Sequence, residues 1–283
     1  MRWNYGSLYK NIRKNKGYTQ QQITSHTISR TTLSKLENNK IHIGIANFEF
    51  LLEQIDMSFD EFLYLLDHRT QKKRETLIEA FFSLVSNVDS SKILALKTRC
   101  LAYLKQQDDI SIKEIITILD ALVALAKEDT TSLQQSKVLV GKIWQRLNKM
   151  DTWYYYEIRL LNCILYFLPI ETVQELIPRL LTTLKRYEDY HRFDYLKLVV
   201  FVNISTLLLH HQKKVDCEKI TKKVYHLAKL KKRYDFLAIA QVRLGICRGD
   251  LQLIEEGRRL LLLTKEQILW DRLEEEVAVF GGG

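Results

Sequence analysis

The sequence has very little of the two residues that break helices. Only two prolines, Pro169 and Pro178, occur in 283 residues, and three of the ten glycines form the C-terminal Gly-Gly-Gly. Proline removes a backbone donor and glycine costs conformational entropy, so a long chain that nearly lacks both favours helices. Hydrophobic residues make up 46% of the chain and charged residues 27%, which excludes a disordered protein. We therefore expect an all-α protein with a disordered tail at 281–283.

The sequence also lacks a segment that could cross a membrane or act as a signal peptide. The N-terminal stretch MRWNYGSLYKNIRKNK has no apolar core, and Asn203 and Ser205 interrupt the long apolar run LKLVVFVNISTLLL. The four cysteines are widely spaced and form no C-x-x-C. They predict buried, reduced thiols in a cytoplasmic protein that makes no membrane contact.

Motifs for catalysis, cofactors and metals are missing as well. The seven histidines form no H-E-x-x-H spacing, and the chain has neither a glycine-rich phosphate loop nor G-x-S-x-G. We therefore expect no enzyme activity, no cofactor and no metal site.

What the sequence does have is a separation of charge near its N-terminus. Residues 1–42 contain eight basic residues and one acid, Glu37, for a net charge of +7. Residues 43–70 contain one basic residue and six acids, for a net charge of −5. A basic segment of this kind suits a polyanion such as DNA, although a charge run is more often a solvated face.

The pattern of the first seventy residues predicts five short helices. Gly17 is placed to end the first helix, and Thr19 and Ser29 are placed to begin the second and third. Ser58 and Glu61 form a capping-box pattern before the fifth helix. The second and third helices are separated by a short turn, which is the arrangement of a helix-turn-helix whose second helix enters the DNA major groove.

Polar and basic residues cover the outward positions of this predicted motif. Arginine pairs with guanine edges, asparagine with adenine, and threonine with a thymine methyl or a phosphate. The predicted contacts with double-stranded DNA are Arg13, Lys14, Lys16, Thr19, Gln20, Ser29, Arg30, Thr31, Thr32, Lys35, Asn38 and Lys40.

From Thr76 onward the chain predicts eleven helices joined by short polar turns. Aromatic clusters followed by apolar helices recur, and a spacing of 41 residues separates Asn162 from Asn203 and Asp194 from Asp235. This is the range of stacked helix pairs, so we predict a TPR-like right-handed helical repeat array, although no repeat consensus is matched. The predicted organisation is a helix-turn-helix domain at 1–68, a linker at 69–75 and the array at 76–280.

Polar side chains interrupt the first helix of several predicted pairs. Each asparagine is either a core residue with internal partners or a group that binds the backbone of an extended peptide, and the two interpretations are equal. For the arginines the groove is favoured, because a buried unpaired arginine is costly. The basic residues of 214–233 are better explained as a solvated outer face than as a nucleic-acid site. The predicted peptide contacts are Arg159, Asn162, Tyr166, Asn203, Gln241 and Arg243.

The segments IRKNKGYTQQQIT and ISRTTLSKLENNK resemble the helix-turn-helix of XRE type over about sixty residues. An XRE-type domain before a TPR-like array is similar to the peptide-pheromone-responsive bacterial regulators, the Rap/Rgg/NprR/PlcR/PrgX superfamily. The segment LSKLENNKIHIGIANFEFLLEQIDMSFDEFLYL resembles the Rgg/GadR/MutR branch. The residues on the XRE pattern are Arg13, Gly17, Thr19, Gln20, Ile23, Ser34, Leu36, Glu37 and Asn39.

This resemblance implies a cytoplasmic homodimer that binds promoter DNA and is controlled by a short hydrophobic signalling peptide. The alternative is a regulator whose array only dimerises or binds a protein partner. Some members of the branch carry a cysteine at the place of Ile45, so the resemblance carries over no thiol switch there. Paired N-terminal domains read two half-sites about one DNA turn apart. The C-terminal residues predicted to form the dimer contact are Leu269, Trp270, Leu273 and Phe280.

Overall fold

The computed structural model of the protein describes residues 4–67, 73–84, 90–126 and 130–281. These residues form sixteen α-helices and two 3-10 helices and include no β-strand, which confirms the all-α prediction. The chain divides into two compact units, Met1–Ser83 and Leu84–Gly283. Residues 69–72 of the predicted linker and 282–283 of the predicted tail lie outside the described residues. The predicted domain limits at 68 and 76 remain a prediction.

The first unit forms its helices where the sequence provides ends for them. Gly17 adopts φ +80° after the first helix. The Thr19 hydroxyl accepts a hydrogen bond from the Gln22 backbone in a capping box, and the Ser29 hydroxyl accepts one from Thr32. These caps satisfy amides that a helix leaves unpaired. The helices are α1 Tyr5–Asn15, α2 Gln20–Ile23, α3 Arg30–Glu37, α4 Ile45–Glu53, α5 Phe59–Asp67 and α6 Lys73–Phe82.

One apolar core joins helices α1 to α5 of the first unit. Leu33 of α3 and Leu51 of α4 are fully buried in it, and the buried Tyr9 hydroxyl of α1 donates to the Leu51 carbonyl at 3.0 Å. Gly6 allows α1 to approach α3 closely, because a Cβ at this position would lie 1.8 Å from the Leu36 carbonyl oxygen. The position of α3 is therefore fixed by backbone contact as well as by side-chain packing.

The second unit consists of helices joined by short connections, and most consecutive helices pack against each other. The predicted helices of this unit are observed, and the helix that follows Trp153 begins at Tyr155. The buried Trp153 side chain, which donates to the Leu147 carbonyl at 2.8 Å, holds the chain before that point. The helices are α7 Ser90–Leu104, α8 Ile110–Ala126, α9 Thr130–Asn148, α10 Tyr155–Ile164, α11 Ile170–Lys185, α12 Asp194–His210, α13 Lys214–Leu230, α14 Tyr234–Arg248, α15 Leu251–Leu263 and α16 Gln267–Phe280.

The helix pairs α12/α13 and α14/α15 each pack closely together, and α10 and α11 precede them in the same order. The first helices contact one another along the stack, α10 with α12, α12 with α14, and α14 with α16. The repeat of 41 residues becomes a physical contact, since the Asn203 amide donates to the Asn162 side chain at 3.0 Å. The helical repeat is therefore confirmed, and α10, α12, α14 and α16 form one layer that we call the first-helix layer. Within the described residues no helix is long and apolar enough to span a bilayer.

Candidate DNA-binding and ligand-binding sites

Helix α3 separates its polar and apolar residues onto opposite sides. With 100° between successive residues, Arg30, Thr31 and Lys35 fall within an arc of about 140°, and all three side chains are exposed. Leu33 and Leu36 lie on the other side and are buried. An exposed arc of arginine, threonine and lysine on the second helix of a helix-turn-helix has the donors that base edges and phosphates require.

A buried ion pair between α1 and α3 holds α3 in position. The Arg13 guanidinium of α1 donates to both carboxylate oxygens of Glu37 at 2.5 and 3.0 Å, and both side chains are almost fully buried. Gln20, in the first turn of α2, donates to the same carboxylate at 2.9 Å. Arg13 also donates to the Tyr18 carbonyl. One carboxylate therefore ties α1, α2 and α3 together.

This network changes the interpretation of two residues predicted to contact DNA. The Arg13 guanidinium uses its donors inside the unit, so its position does not suit a phosphate contact. The Gln20 amide is likewise directed at Glu37 and is only partly exposed. The sequence identified both positions as part of the XRE pattern but gave no sign that they meet at Glu37.

The remaining predicted DNA contacts differ in whether other groups of the protein bind their side chains. Lys16 donates to the Ile55 and Asp56 carbonyls at 2.5 and 3.1 Å, and Asn38 accepts from Lys10 at 3.0 Å. Thr32 is half-buried and its hydroxyl lies 2.9 Å from that of the capping residue Ser29. In the described part of the chain, the exposed basic residues of this set with neither an ion pair nor a side-chain hydrogen bond are Lys14, Arg30, Lys35 and Lys40.

A cluster of polar side chains occupies the first-helix layer of the second unit. Asn162 and Asn203 pair through their amides, and the Tyr166 hydroxyl lies 3.5 Å from the Asn203 oxygen. Burial raises the pKa of Tyr166, and its hydrogen bond with Thr206 partly offsets that rise. Tyr166 remains 47% exposed, so the cluster lies at a surface rather than in the core.

Aromatic residues flank this amide cluster. The Arg159 guanidinium lies 5.2 Å from the ring centre of Tyr155, which is itself 40% exposed. On α12, Tyr195 is 58% exposed and Val199 is partly exposed. A surface that combines exposed rings with amides that donate and accept is suited to an extended peptide, whose backbone needs both.

Two other residues predicted to contact peptide have internal partners. The Gln241 amide of α14 donates to Glu256 of α15 at 3.1 Å. Arg243 is only 4% exposed, and it donates to both carboxylate oxygens of Glu276 at 2.7 and 2.8 Å. It also donates to the Val202 carbonyl at 2.9 Å. The preference for Arg243 in an open groove rested on the cost of an unpaired buried arginine, and Glu276 removes that cost.

The predicted dimer contacts divide into buried and accessible residues. Trp270 and Leu273 are 6% and 2% exposed and pack inside their own unit, so these two side chains have little accessible surface to offer a partner. Leu269 and Phe280 are partly exposed, and the Phe280 ring lies 5.2 Å from His210. The most exposed large apolar residues around α16 are instead Leu263, Ile268 and Val279.

The thiols and acids of the described residues form no metal site. No group of three or more His, Cys, Asp or Glu side chains in that part of the chain has the geometry to hold a metal ion. All four cysteines are free, with Cys100 and Cys217 buried and Cys163 and Cys247 partly buried. Free thiols agree with the sequence expectation.

Comparison with known families matches both parts of the chain. Residues 10–62 match the helix-turn-helix family, and residues 100–238 match the C-terminal domain of the HTH-type transcriptional regulator Rgg. The second match covers α8 to α13 completely and so includes the amide cluster. No curated protein matches the sequence significantly.

Solved structures with the same fold cover nearly the whole chain. A candidate transcriptional regulator from Listeria monocytogenes EGD-e has 20% identity and a TM-score of 0.79, with 99% of this chain and 96% of that one covered. The Streptococcus dysgalactiae SHP pheromone receptor Rgg2 has 16% identity and a TM-score of 0.71, with 97% and 98% covered. Bacillus thuringiensis PlcR, in complex with the peptide PapR7 and DNA, has 14% identity and a TM-score of 0.64, with 96% and 99% covered.

Three observations converge on one identity. The first unit has a complete helix-turn-helix with a basic exposed arc, the second unit is a helical repeat, and both carry the corresponding family matches. The chain therefore joins a helix-turn-helix domain to the C-terminal domain of the HTH-type transcriptional regulator Rgg.

Proposed function

We propose that α3 reads promoter DNA through its exposed arc, with Arg30 and Lys35 as the main contacts. Both side chains project from the helix opposite its buried leucines, and neither has an ion pair within the described residues. Lys14 and Lys40 lie exposed before and after the motif and supply contacts to flanking phosphates. Arg13 and Gln20 act indirectly, because their contacts with Glu37 position α3.

We further propose that a short peptide bound to the first-helix layer controls this DNA-binding protein. The observation that carries the proposal is the contact between Asn162 and Asn203, which places two amides from successive repeats side by side at a surface. Amide side chains at this spacing can hydrogen-bond an extended backbone, and the exposed Tyr155 and Tyr195 rings supply an apolar surface for its side chains. Peptide binding by the PlcR structure, and the receptor role named for Rgg2, support the proposal by analogy.

The regulator is proposed to act in the cytoplasm as a homodimer. A second copy would pack against the accessible apolar residues Leu263, Ile268 and Val279 around α16 rather than against Trp270 and Leu273. The exposure of these same apolar residues also favours the alternative, in which the array only dimerises and binds no peptide.

Selection of peptides from a random pool tests the peptide proposal. The full chain is incubated with octapeptides that have free termini, and retained peptides are identified by mass spectrometry. We expect a shared set of apolar peptides to be retained by the wild type and lost from Asn162→Ala and Asn203→Ala. The matched control is Asn47→Ala, an exposed asparagine of the first unit. No retained peptide, or equal retention by all four proteins, would show that the array does not bind peptide there.

A further inference from the structure

The C-terminal helix is attached to the first-helix layer unevenly. Its N-terminal half buries Trp270 and Leu273, which anchor it in the unit. Its C-terminal half has no fully buried apolar side chain, and the contacts that hold it are the Glu276 carboxylate on Arg243 and the Phe280 ring against His210. The end of α16 is therefore held mainly by one charged contact and one ring contact.

Arg243 is held in place without help from α16. One of its nitrogens donates to the Val202 carbonyl at 2.9 Å and to the Ser205 hydroxyl at 2.7 Å, so α12 already orients the guanidinium. The two remaining nitrogens form a planar fork that faces Glu276. A fork of this geometry binds any carboxylate in the same bidentate way.

This fork lies next to the amide cluster. Val202, which accepts from Arg243, directly precedes Asn203 in α12, and the charges of Arg243 and Glu276 both act on the Tyr166 hydroxyl. Asn162, Asn203 and Arg243 come from three successive first helices. Neighbouring helices lie about 8–10 Å apart, and an extended chain advances about 3.3 Å per residue. One helix-to-helix step therefore corresponds to roughly three peptide residues.

We propose that Arg243 is the binding site for a carboxylate of the peptide ligand, and that Glu276 occupies this site in the unliganded protein. The inference rests on the proposed peptide-binding function. A peptide that lies along Asn162 and Asn203 places its C-terminal carboxylate, or an acidic side chain, on Arg243 about three residues further on. Glu276 is then displaced and the end of α16 leaves the layer. The ligand class is thus a short peptide with a carboxylate at a defined distance from its amide-bound segment.

Three synthetic octapeptide pools test this with the full chain. The first lacks Asp and Glu and has free C-terminal carboxylates, the second lacks Asp and Glu and has C-terminal amides, and the third includes Asp and Glu and has C-terminal amides. If the peptide's C-terminal carboxylate binds Arg243, we expect the protein to retain peptides from the first pool. If an acidic side chain binds there, we expect it to retain peptides from the third pool. In either case no peptide from the second pool should be retained. In Glu276→Gln, which keeps the side-chain shape, the affinity for a retained peptide should rise on the order of tenfold, because the internal competitor is weakened.

Hydrogen exchange gives a second measurement that does not depend on a variant. Bound peptide should speed exchange of the backbone amides of 274–280 while it slows exchange in α10 and α12. If the second pool is retained as well as the other two, and that retention is lost in Asn203→Ala, the carboxylate site is overturned and the peptide-binding function stands. Retention from no pool would overturn both. An unchanged or lower affinity in Glu276→Gln, or unchanged exchange in 274–280, would overturn the displacement of Glu276.

Discussion

The guanidinium of Arg13 and the carboxylate of Glu37 form a buried bidentate pair between α1 and α3. Gln20 adds a third helix to the same carboxylate. Helices α1, α2 and α3 are short, and short helices gain most of their stability from tertiary contacts. This pair therefore connects the sequence pattern at positions 13, 20 and 37 to the orientation of the exposed arc on α3.

Replacing Arg13 should destabilise the first unit strongly. Arg13→Ala leaves the Glu37 carboxylate buried without its cation, which costs about 3–5 kcal/mol. Chemical denaturation followed by circular dichroism measures the change, and DNA binding should fall in parallel with folded protein. Lys14→Ala is the matched control, since this neighbour is exposed and its loss should leave the unfolding free energy nearly unchanged. Equal stability of both variants would contradict the structural role of the pair.

Gly6 provides a test of the close approach between α1 and α3. In Gly6→Ala the added Cβ would meet the Leu36 carbonyl oxygen, so α1 must move and the melting temperature should drop by several degrees. Gly141→Ala, in α9, is the control because nothing lies within 4 Å of the added carbon. There alanine should raise stability by about 0.5–1 kcal/mol. A Gly6→Ala protein as stable as the wild type would show that the approach is looser than described.

The contacts assigned to α3 predict a change in salt dependence. A plot of log affinity against log salt concentration has a negative slope, and removing one phosphate contact makes that slope less steep by about 0.9. Lys35→Ala should show this drop with an unchanged melting temperature, because the side chain is exposed. Fluorescence anisotropy at several salt concentrations measures the slope, and Lys149→Ala in the second unit controls for loss of net charge. The same slope in Lys35→Ala and the wild type would remove Lys35 from the interface.

Local chemistry is the part of this structure that the sequence predicts well. Gly17, Thr19 and Ser29 define helix ends because their conformational and hydrogen-bonding preferences act within a few residues. The repeat of 41 residues likewise predicted that Asn162 and Asn203 occupy equivalent positions, and they are in contact.

Long-range pairing is the part that the sequence does not reveal. Arg243 and Glu276 are 33 residues apart on non-consecutive helices, and Glu276 is the last of three successive glutamates that look alike in sequence. Only the helix phase within the folded unit selects which carboxylate faces inward. The same limit explains Trp270 and Leu273, whose apolar character fits a dimer contact and an internal core equally well.

The two sides of α16 should respond differently to substitution. Leu273→Ala creates a cavity in the second unit and should cost about 2–5 kcal/mol of stability. Ile268→Glu and Val279→Glu alter exposed positions, so they should leave the melting temperature nearly unchanged and weaken self-association. Light scattering over a range of protein concentrations measures the oligomer. A wild type that stays monomeric at high concentration would contradict the proposed dimer.

Cys163 should react slowly in the folded protein. Burial raises the pKa of its thiol from its usual value of 9.0 to about 12. At pH 8 the reactive thiolate is then about a thousandfold less populated than in an unfolded chain, and its population should rise tenfold per pH unit up to about pH 12. Iodoacetamide labelling followed by mass spectrometry compares this site in native and denatured protein. Equal labelling rates in the two states would contradict the described environment.

Selection of DNA by the purified full chain tests the central claim most directly. The protein is incubated with random duplexes at fixed salt, and bound fragments are sequenced through several rounds. We predict that the wild type enriches one shared site with two half-sites about one helical turn apart. A folded variant with both Arg30→Ala and Lys35→Ala should fail to enrich it. No enriched site with the wild type, or the same site with the double variant, would contradict DNA recognition through the exposed arc of α3.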